Sequence, residues 1–133
     1  STNQDIDKES EIIIINSYGM VSNYLKLCKS VLMGKSLIKK LESQSGQNPI
    51  EAAKHGCKIY HGPYVYNFQE IYNLLSEFGI TELIKNETEL SNKLNLDLNN
   101  LGNVNKSNID TINELGNKIL NNAYIELKKI SRL

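Results

Sequence analysis

The sequence predicts an α/β protein built on a parallel sheet with helices against both faces, and three observations predict it. Short strand-like runs recur along the chain ("EIIII", "SVLM", "CKIY", "TELI"), and the first is an unbroken β-branched run without polar alternation, the pattern of a strand covered on both sides. Between them lie longer stretches whose apolar residues recur at helical spacing. Gly, Asn or Pro stands at nearly every junction, where strand and helix must be separated. Strands that alternate with helices pair in parallel through crossover connections, which puts helices on the sheet faces.

Taken in order, "STNQDIDKES" has no period and is expected to be disordered or a linker over residues 1–10, followed by one domain over 11–133. Glu11–Ile15 is expected to be a buried central strand. In "MVSNYLKLCK", Val21, Tyr24, Leu25 and Cys28 share a helical face. Ser30–Gly34 forms a second strand, and the lysine-rich "KSLIKKLESQSGQ" connects it to "NPIEAAKHG". That segment is a short helix with Pro49 in its first turn and Gly56 as its stop. "CKIYHGP" is the next strand and its exit. The helix "NFQEIYNLLSEFG" is expected to be capped by Asn67 with Glu70 in capping-box position and to end at Gly79. "TELIK" is a short strand, and a second Asn-x-x-Glu start opens "NETELSNKLNLDL". After a loop through Gly102, Ser107–Leu133 fits one helix or two broken near Gly116, with Ile109, Ile112, Leu115, Ile119, Leu120, Ala123, Ile125 and Leu127 on its apolar positions. About four strands are fewer than a full doubly wound domain holds, which points to part of something longer.

Composition narrows the function. The 133 residues carry 15 Lys+Arg against 15 Asp+Glu, so the basic excess typical of a nucleic-acid binder is missing. The two cysteines, Cys28 and Cys57, lack metal-ligand spacing and read as reduced thiols, and no metal is expected. No apolar run approaches the ~20 residues that span a bilayer, so the stretch itself is expected to be soluble.

In open α/β sheets ligands bind outside the carboxyl ends of the strands. Here those ends are "NSYGM", "GKS" and "HGPYVYN", with the start of "NPIE" at the same edge. Gly19 opens a helix after a strand, where a residue without a side chain lets a phosphate approach first-turn N–H groups, or simply makes the turn. Asn48 caps the next helix and Pro49 fixes its first turn. Glu51 can accept hydrogen bonds from vicinal hydroxyls such as those of a ribose, or only neutralise the helix end. His55 reads as a surface residue near a helix end. His61 either reaches a ligand or satisfies a backbone carbonyl, and Tyr64 and Tyr66 line a pocket or cover the core. Lys35, Lys39 and Lys40 make a basic patch, read as a solvated loop, with contact to an anion or a lipid headgroup as the alternative. No Ser-His-Asp order, Walker loop or metal constellation is seen.

These motifs, in their order, resemble a known family. "IIIINSYGMVSNYLKLCKSVLMGKS" followed by "SGQNPIEAAKHGCKIYHGPYVYNFQEIY" is similar to the C-terminal part of 3-deoxy-D-manno-octulosonic acid (Kdo) transferases. The family pattern runs G-D-[ST]-x-G-E, F-[VIM]-G-[GK]-S, G-G-[HQ]-N-P-[IL]-E-[AP]-A and G-P-[HY]-x-[FY]-N-F. The resemblance covers Glu11 to about Ile84. Asn16 and Met20 replace acidic residues of the pattern, Ser45 replaces its first Gly of G-G, and Tyr64 stands where His is frequent.

The resemblance implies a Rossmann-like three-layer parallel sheet, the C-terminal portion of a GT-B donor domain. It implies an enzyme that transfers Kdo from CMP-Kdo to a lipid A precursor in lipopolysaccharide biosynthesis, without metal or cofactor. The nucleotide contacts it carries over are Tyr18, Gly19, Met20, Asn48, Pro49, Ile50 and Glu51. No catalytic residue falls in this stretch: the family's base belongs to an N-terminal domain, which also brings the acceptor site and the membrane anchor. By the same token the full enzyme is expected at the cytoplasmic face of the inner membrane, and the 133 residues alone are expected to be inactive. The alternatives are a GT-B transferase for another nucleotide sugar and a non-catalytic nucleotide-binding or interaction module.

Overall fold

The computed structural model describes residues 9, 11–16, 18–100 and 106–131. Its elements run α1 (Val21–Leu25), β1 (Ser30–Leu32), α2 (Ile50–Lys54), β2 (Lys58–His61), α3 (Gln69–Glu77), β3 (Thr81–Leu83), α4 (Glu87–Asn99) and α5 (Lys106–Ser131). Short 3-10 helices at Lys39–Gln44 and Tyr66–Phe68 fill two connections. The described strands form one parallel sheet in the order β1-β2-β3, with Leu32 beside Tyr60 and Tyr60 beside Glu82. Helices flank it, a small α/β, Rossmann-like arrangement.

Strand alternation assigns the two faces. Val31, Ile59, His61 and Thr81 point toward the side that carries α2 and α3. The Thr81 hydroxyl donates to the Tyr72 carbonyl of α3 at 2.9 Å, and the His61 ring lies 4.4 Å from that of Tyr72. The core sits on this side: Leu25, Met33, Ala52, Ala53, Cys57, Ile59, Val65, Tyr72, Leu75 and Ile80 are buried together, with Ile112 of α5 joining them. The opposite face is polar and belongs to α4. There Asp97 accepts hydrogen bonds from the hydroxyls of Ser30 and Tyr60, the latter at 2.9 Å. Glu82 of β3 pairs with Lys58 at 3.2 Å and with Lys93. The Lys93 ammonium, then Lys58, hold the Glu82 carboxyl below its ordinary range against an opposing desolvation. Burial, then the bond to Asp97, raise the Tyr60 hydroxyl well above its usual value.

Several expectations hold in detail. Gly56 and Gly79 stop α2 and α3 at φ +76 and +67, the left-handed conformation that ends a helix. Asn86 caps α4 by accepting from Glu89 N–H at 2.9 Å, while the Glu89 carboxylate takes the Lys85 N–H at 2.9 Å. α5 runs unbroken through Gly116.

Two expectations are overturned. Glu11–Ile15 is not a strand: residues 11–16 join no ladder, and Ile12 and Ile14 stand 82% and 89% exposed. A β-branched run favours extended backbone but becomes a strand only where an edge takes its hydrogen bonds and a second layer its side chains. Neither is given to these residues here. Asn67 does not cap α3: the 3-10 turn carries the chain into the helix, Phe68 occupies the cap position without a side-chain bond, and the Asn67 N–H goes to Ser45 Oγ at 2.8 Å. The expected second strand is also shorter, since Met33 and Gly34 already belong to its exit. The linker expected over 1–10 and the loop through Gly102 fall largely or wholly outside the described residues.

Candidate functional site

Two connections, β1–α2 and β2–α3, leave the carboxyl edge of the sheet and are bonded to each other before any side chain faces solvent. Ser36, fully buried after β1, donates its hydroxyl to the Met33 carbonyl at 2.6 Å and accepts the Gly62 N–H at 3.0 Å. Its own carbonyl takes the Tyr64 N–H at 2.9 Å, and the Tyr64 carbonyl takes the Gly46 N–H at 2.9 Å. The Tyr72 hydroxyl of α3 donates to the Gln47 carbonyl at 2.8 Å. Gly62 is required by proximity: a Cβ there would lie 2.3 Å from the Ser36 carbonyl oxygen and 2.4 Å from Leu37 Cα, both backbone atoms. The crowding of Gly, Pro, His and Tyr in residues 46–72 is thus mainly the joinery of these loops.

What the joinery holds out is the start of α2. Asn48 is exposed, and its side chain accepts the Ile50 N–H at 3.0 Å. Pro49 is buried beneath, Ile50 half-buried, and Glu51 exposed on the first turn. Two cavities share Asn48 and Glu51. One, of about 390 Å³, is a largely apolar slot between α1, the end of β1 and α2, walled by Val21, Leu25, Val31, Leu32, Met33, Gly34, Gln47 and Ala52. The other, of about 440 Å³, is polar and lies between α1 and α2, lined in addition by Ser22, Ile50, Lys54 and His55. The shape offers an apolar slot for a flat ring, a carboxylate that accepts hydroxyl hydrogens, and a polar chamber beyond it.

Tyr18, Gly19 and Met20 precede α1, exposed and outside the lining of both cavities, although their neighbour Val21 enters the slot. Gly19 has φ +77, with nothing within 4 Å of a would-be Cβ. The Met20 carbonyl receives the Asn23 N–H at 3.0 Å. α1 and α2 each hold five residues, and the Ile50 N–H is already taken by Asn48, so little helix dipole is left for a phosphate at either start.

Ser45 has φ +41, in the region that favours glycine, at the position where the resembled pattern carries Gly. Its hydroxyl, bonded to the Asn67 N–H, offsets part of that strain and ties the loop to the α3 entry. His61 satisfies a backbone carbonyl: Nδ1–H donates to the Gly62 oxygen at 2.8 Å, and burial pulls the ring's pKa down, partly opposed by that bond. It also lines a separate cavity of about 320 Å³ with Gln69, Tyr72 and Asn73. Tyr64 and Tyr66 meet edge to face at 6.3 Å. Lys35, Lys39 and Lys40 are exposed.

Sequence reasoning missed the pair that closes the polar chamber. His55, read as a surface residue, has its Nε2 2.8 Å from Ser22 Oγ across the α1–α2 contact. The spacing of Glu51 and His55, four residues apart and therefore on one helix face, was the available signal. The cysteines, 29 residues apart, also meet: the Cys57 thiol lies 3.4 Å from the carbonyl oxygens of both Leu25 and Cys28, and burial first, then Cys28, push its pKa to about 11. Among the described residues no group of three or more His, Cys, Asp or Glu is placed to hold a metal, and no helix is long and apolar enough to cross a membrane.

No family model matches the sequence. Among curated proteins, the chain is similar to a 3-deoxy-D-manno-octulosonic acid transferase of Aquifex aeolicus (strain VF5), with 26% identity over 86 residues. The alignment takes in 65% of this chain and 23% of that protein, so the chain spans well under half the length of the relative it matches.

Proposed function

We propose that this chain is the donor-nucleotide part of a GT-B glycosyltransferase, binding CMP-Kdo for transfer of the sugar to a lipid A precursor. The observation that carries the reading is the placement of Asn48 and Glu51 between an apolar slot and a polar chamber at the carboxyl edge of a parallel sheet. The similarity to a Kdo transferase supports the sugar class. In this reading the pyrimidine enters the slot beside Val21 and Met33, with the amides of Gln47 and Asn48 at its polar edge. Glu51 accepts hydrogen bonds from the ribose hydroxyls, and Pro49 and Ile50 fix the turn that presents it. Tyr18, Gly19 and Met20 close the donor from the α1 side. The base that deprotonates the acceptor hydroxyl comes from the facing domain of the two-domain enzyme, along with the acceptor site and the contact with the inner membrane. No cofactor or metal has a step in this scheme.

An NMR titration with CMP, using UMP and GMP as controls, tests it. The reading expects shifts centred on Asn48 and Glu51 and extending to Gly19 and Met20, larger for CMP than for the controls. Equal shifts for the three nucleotides would transfer the site to another nucleotide sugar. A full-length enzyme that binds none of them would sink the reading.

A further inference from the structure

We propose that Ser22, Lys54 and His55 form an anion subsite that takes the phosphoryl group of the nucleotide whose ribose rests on Glu51. The inference rests on the donor-site reading above and moves the phosphoryl group from the helix start after Gly19, where the sequence alone put it, to the chamber between α1 and α2.

The geometry begins with the Ser22–His55 bond. Nε2 of His55 and Oγ of Ser22 are 2.8 Å apart, and a hydrogen can lie on either atom. If the serine donates to Nε2, the imidazole carries its proton on Nδ1, and Nδ1–H is free to donate. If Nε2–H donates to the serine, the hydroxyl hydrogen is free to turn elsewhere. In the imidazolium both are free. The pair therefore offers at least one unspent donor in every protonation state, which is what an oxyanion needs. Among the described residues no carboxylate accepts from His55 Nδ1, so the pair is not oriented as the base of a hydrolytic triad.

Lys54 adds the charge. It lines the same chamber, is exposed, and makes no ion pair among the described residues. A flexible ammonium at the rim acts as a point charge for a phosphate rather than as a fixed fork. Among the described residues Glu51 is the one carboxylate in the lining, shared with the apolar slot. Slot, carboxylate and donor-rich chamber thus follow one another in the order base, ribose, phosphate. This placement also removes the need for a phosphate at the starts of two five-residue helices.

Calorimetric titration of the full-length chain with CMP, cytidine, inorganic phosphate and free 3-deoxy-octulosonic acid tests the inference. His55→Asn and Lys54→Gln are each expected to weaken CMP roughly tenfold, the loss of one hydrogen bond to a charged group, and to leave cytidine unchanged. Circular dichroism checks that both variants fold, and Lys54→Gln changes an exposed side chain only. Unchanged CMP affinity in both variants, while Glu51→Gln weakens CMP and cytidine alike, would overturn the subsite and leave the donor reading standing. Loss confined to the free sugar acid would give the chamber to a carboxylate and overturn the phosphoryl assignment. Unaltered protein that binds neither CMP nor cytidine would overturn both.

Discussion

The two walls of the cleft are built differently. The α2 wall is set by backbone bonds through Ser36, Gly62, Tyr64 and Gly46, with the Tyr72 hydroxyl under Gln47. The α1 wall is a single short helix preceded by exposed Tyr18, Gly19 and Met20 and by exposed Ile12–Ile15. One wall owes its position to hydrogen bonds made within the β1–α2 connection and from it to the β2–α3 connection. The other owes it to Leu25 in the core and to the bond between Ser22 and His55. A change of one atom on the first wall should therefore cost more than a change of a whole side chain on the second.

The sharpest way to break that contrast is Gly62→Ala. The added methyl meets two backbone atoms that cannot move without separating the loops, so a loss of about 3 kcal/mol is expected in urea unfolding. Gly34→Ala, with nothing within 4 Å, is the matched control and should change little. Next is Ser36→Ala, which leaves the buried Gly62 N–H without its acceptor and the Met33 carbonyl without its donor. About 2 kcal/mol should be lost by the same assay.

His61 gives a pH-dependent version of the test. Its folded pKa lies below the ordinary 6.5 because the ring is buried. Above that value the ring is neutral in both states and its burial carries no charge penalty. As pH falls through about 6.5 toward the folded value, the unfolded chain takes up the proton first, so stability drops. Unfolding midpoints measured at about pH 7.5 and 5.5 should fall less for His61→Gln than for the unaltered protein. An equal fall would place the acid sensitivity elsewhere.

The smallest effects belong to the edges of the comparison. Tyr18→Ala should leave the midpoint within about 0.5 kcal/mol, since the ring is fully exposed. Ser45→Gly should come out near neutral: it relieves the backbone at φ +41 and gives up the bond to Asn67. A large loss would mean that the hydroxyl, rather than the shape of the turn, holds the α3 entry.

Where local chemistry decided the outcome, the sequence could be read. The start and stop of α2, the glycine end of α3, the Asn86 cap and the three paired strands follow from residues that act on their own neighbours. So does the presentation of Glu51, because Asn48 and Pro49 shape the turn that carries it. Where distant partners decided, reading failed. Ile12–Ile15 has the composition of a strand, but composition does not supply a neighbouring edge. Asn67 has the spacing of a cap, but Ser45, 22 residues earlier, takes its N–H. His55 has the look of a surface residue until α1 brings Ser22 against it.

The Ser36 hydroxyl, which donates within its own loop and accepts from the loop after β2, has a consequence for the timing of binding. Because Asn48 and Glu51 hang from a network whose bonds are already made, a ligand reaching them need not wait for, or spend entropy on, the ordering of that wall. Association should then be governed by encounter and by the ligand's own rotors, and the residence time by what the α1 side adds afterwards.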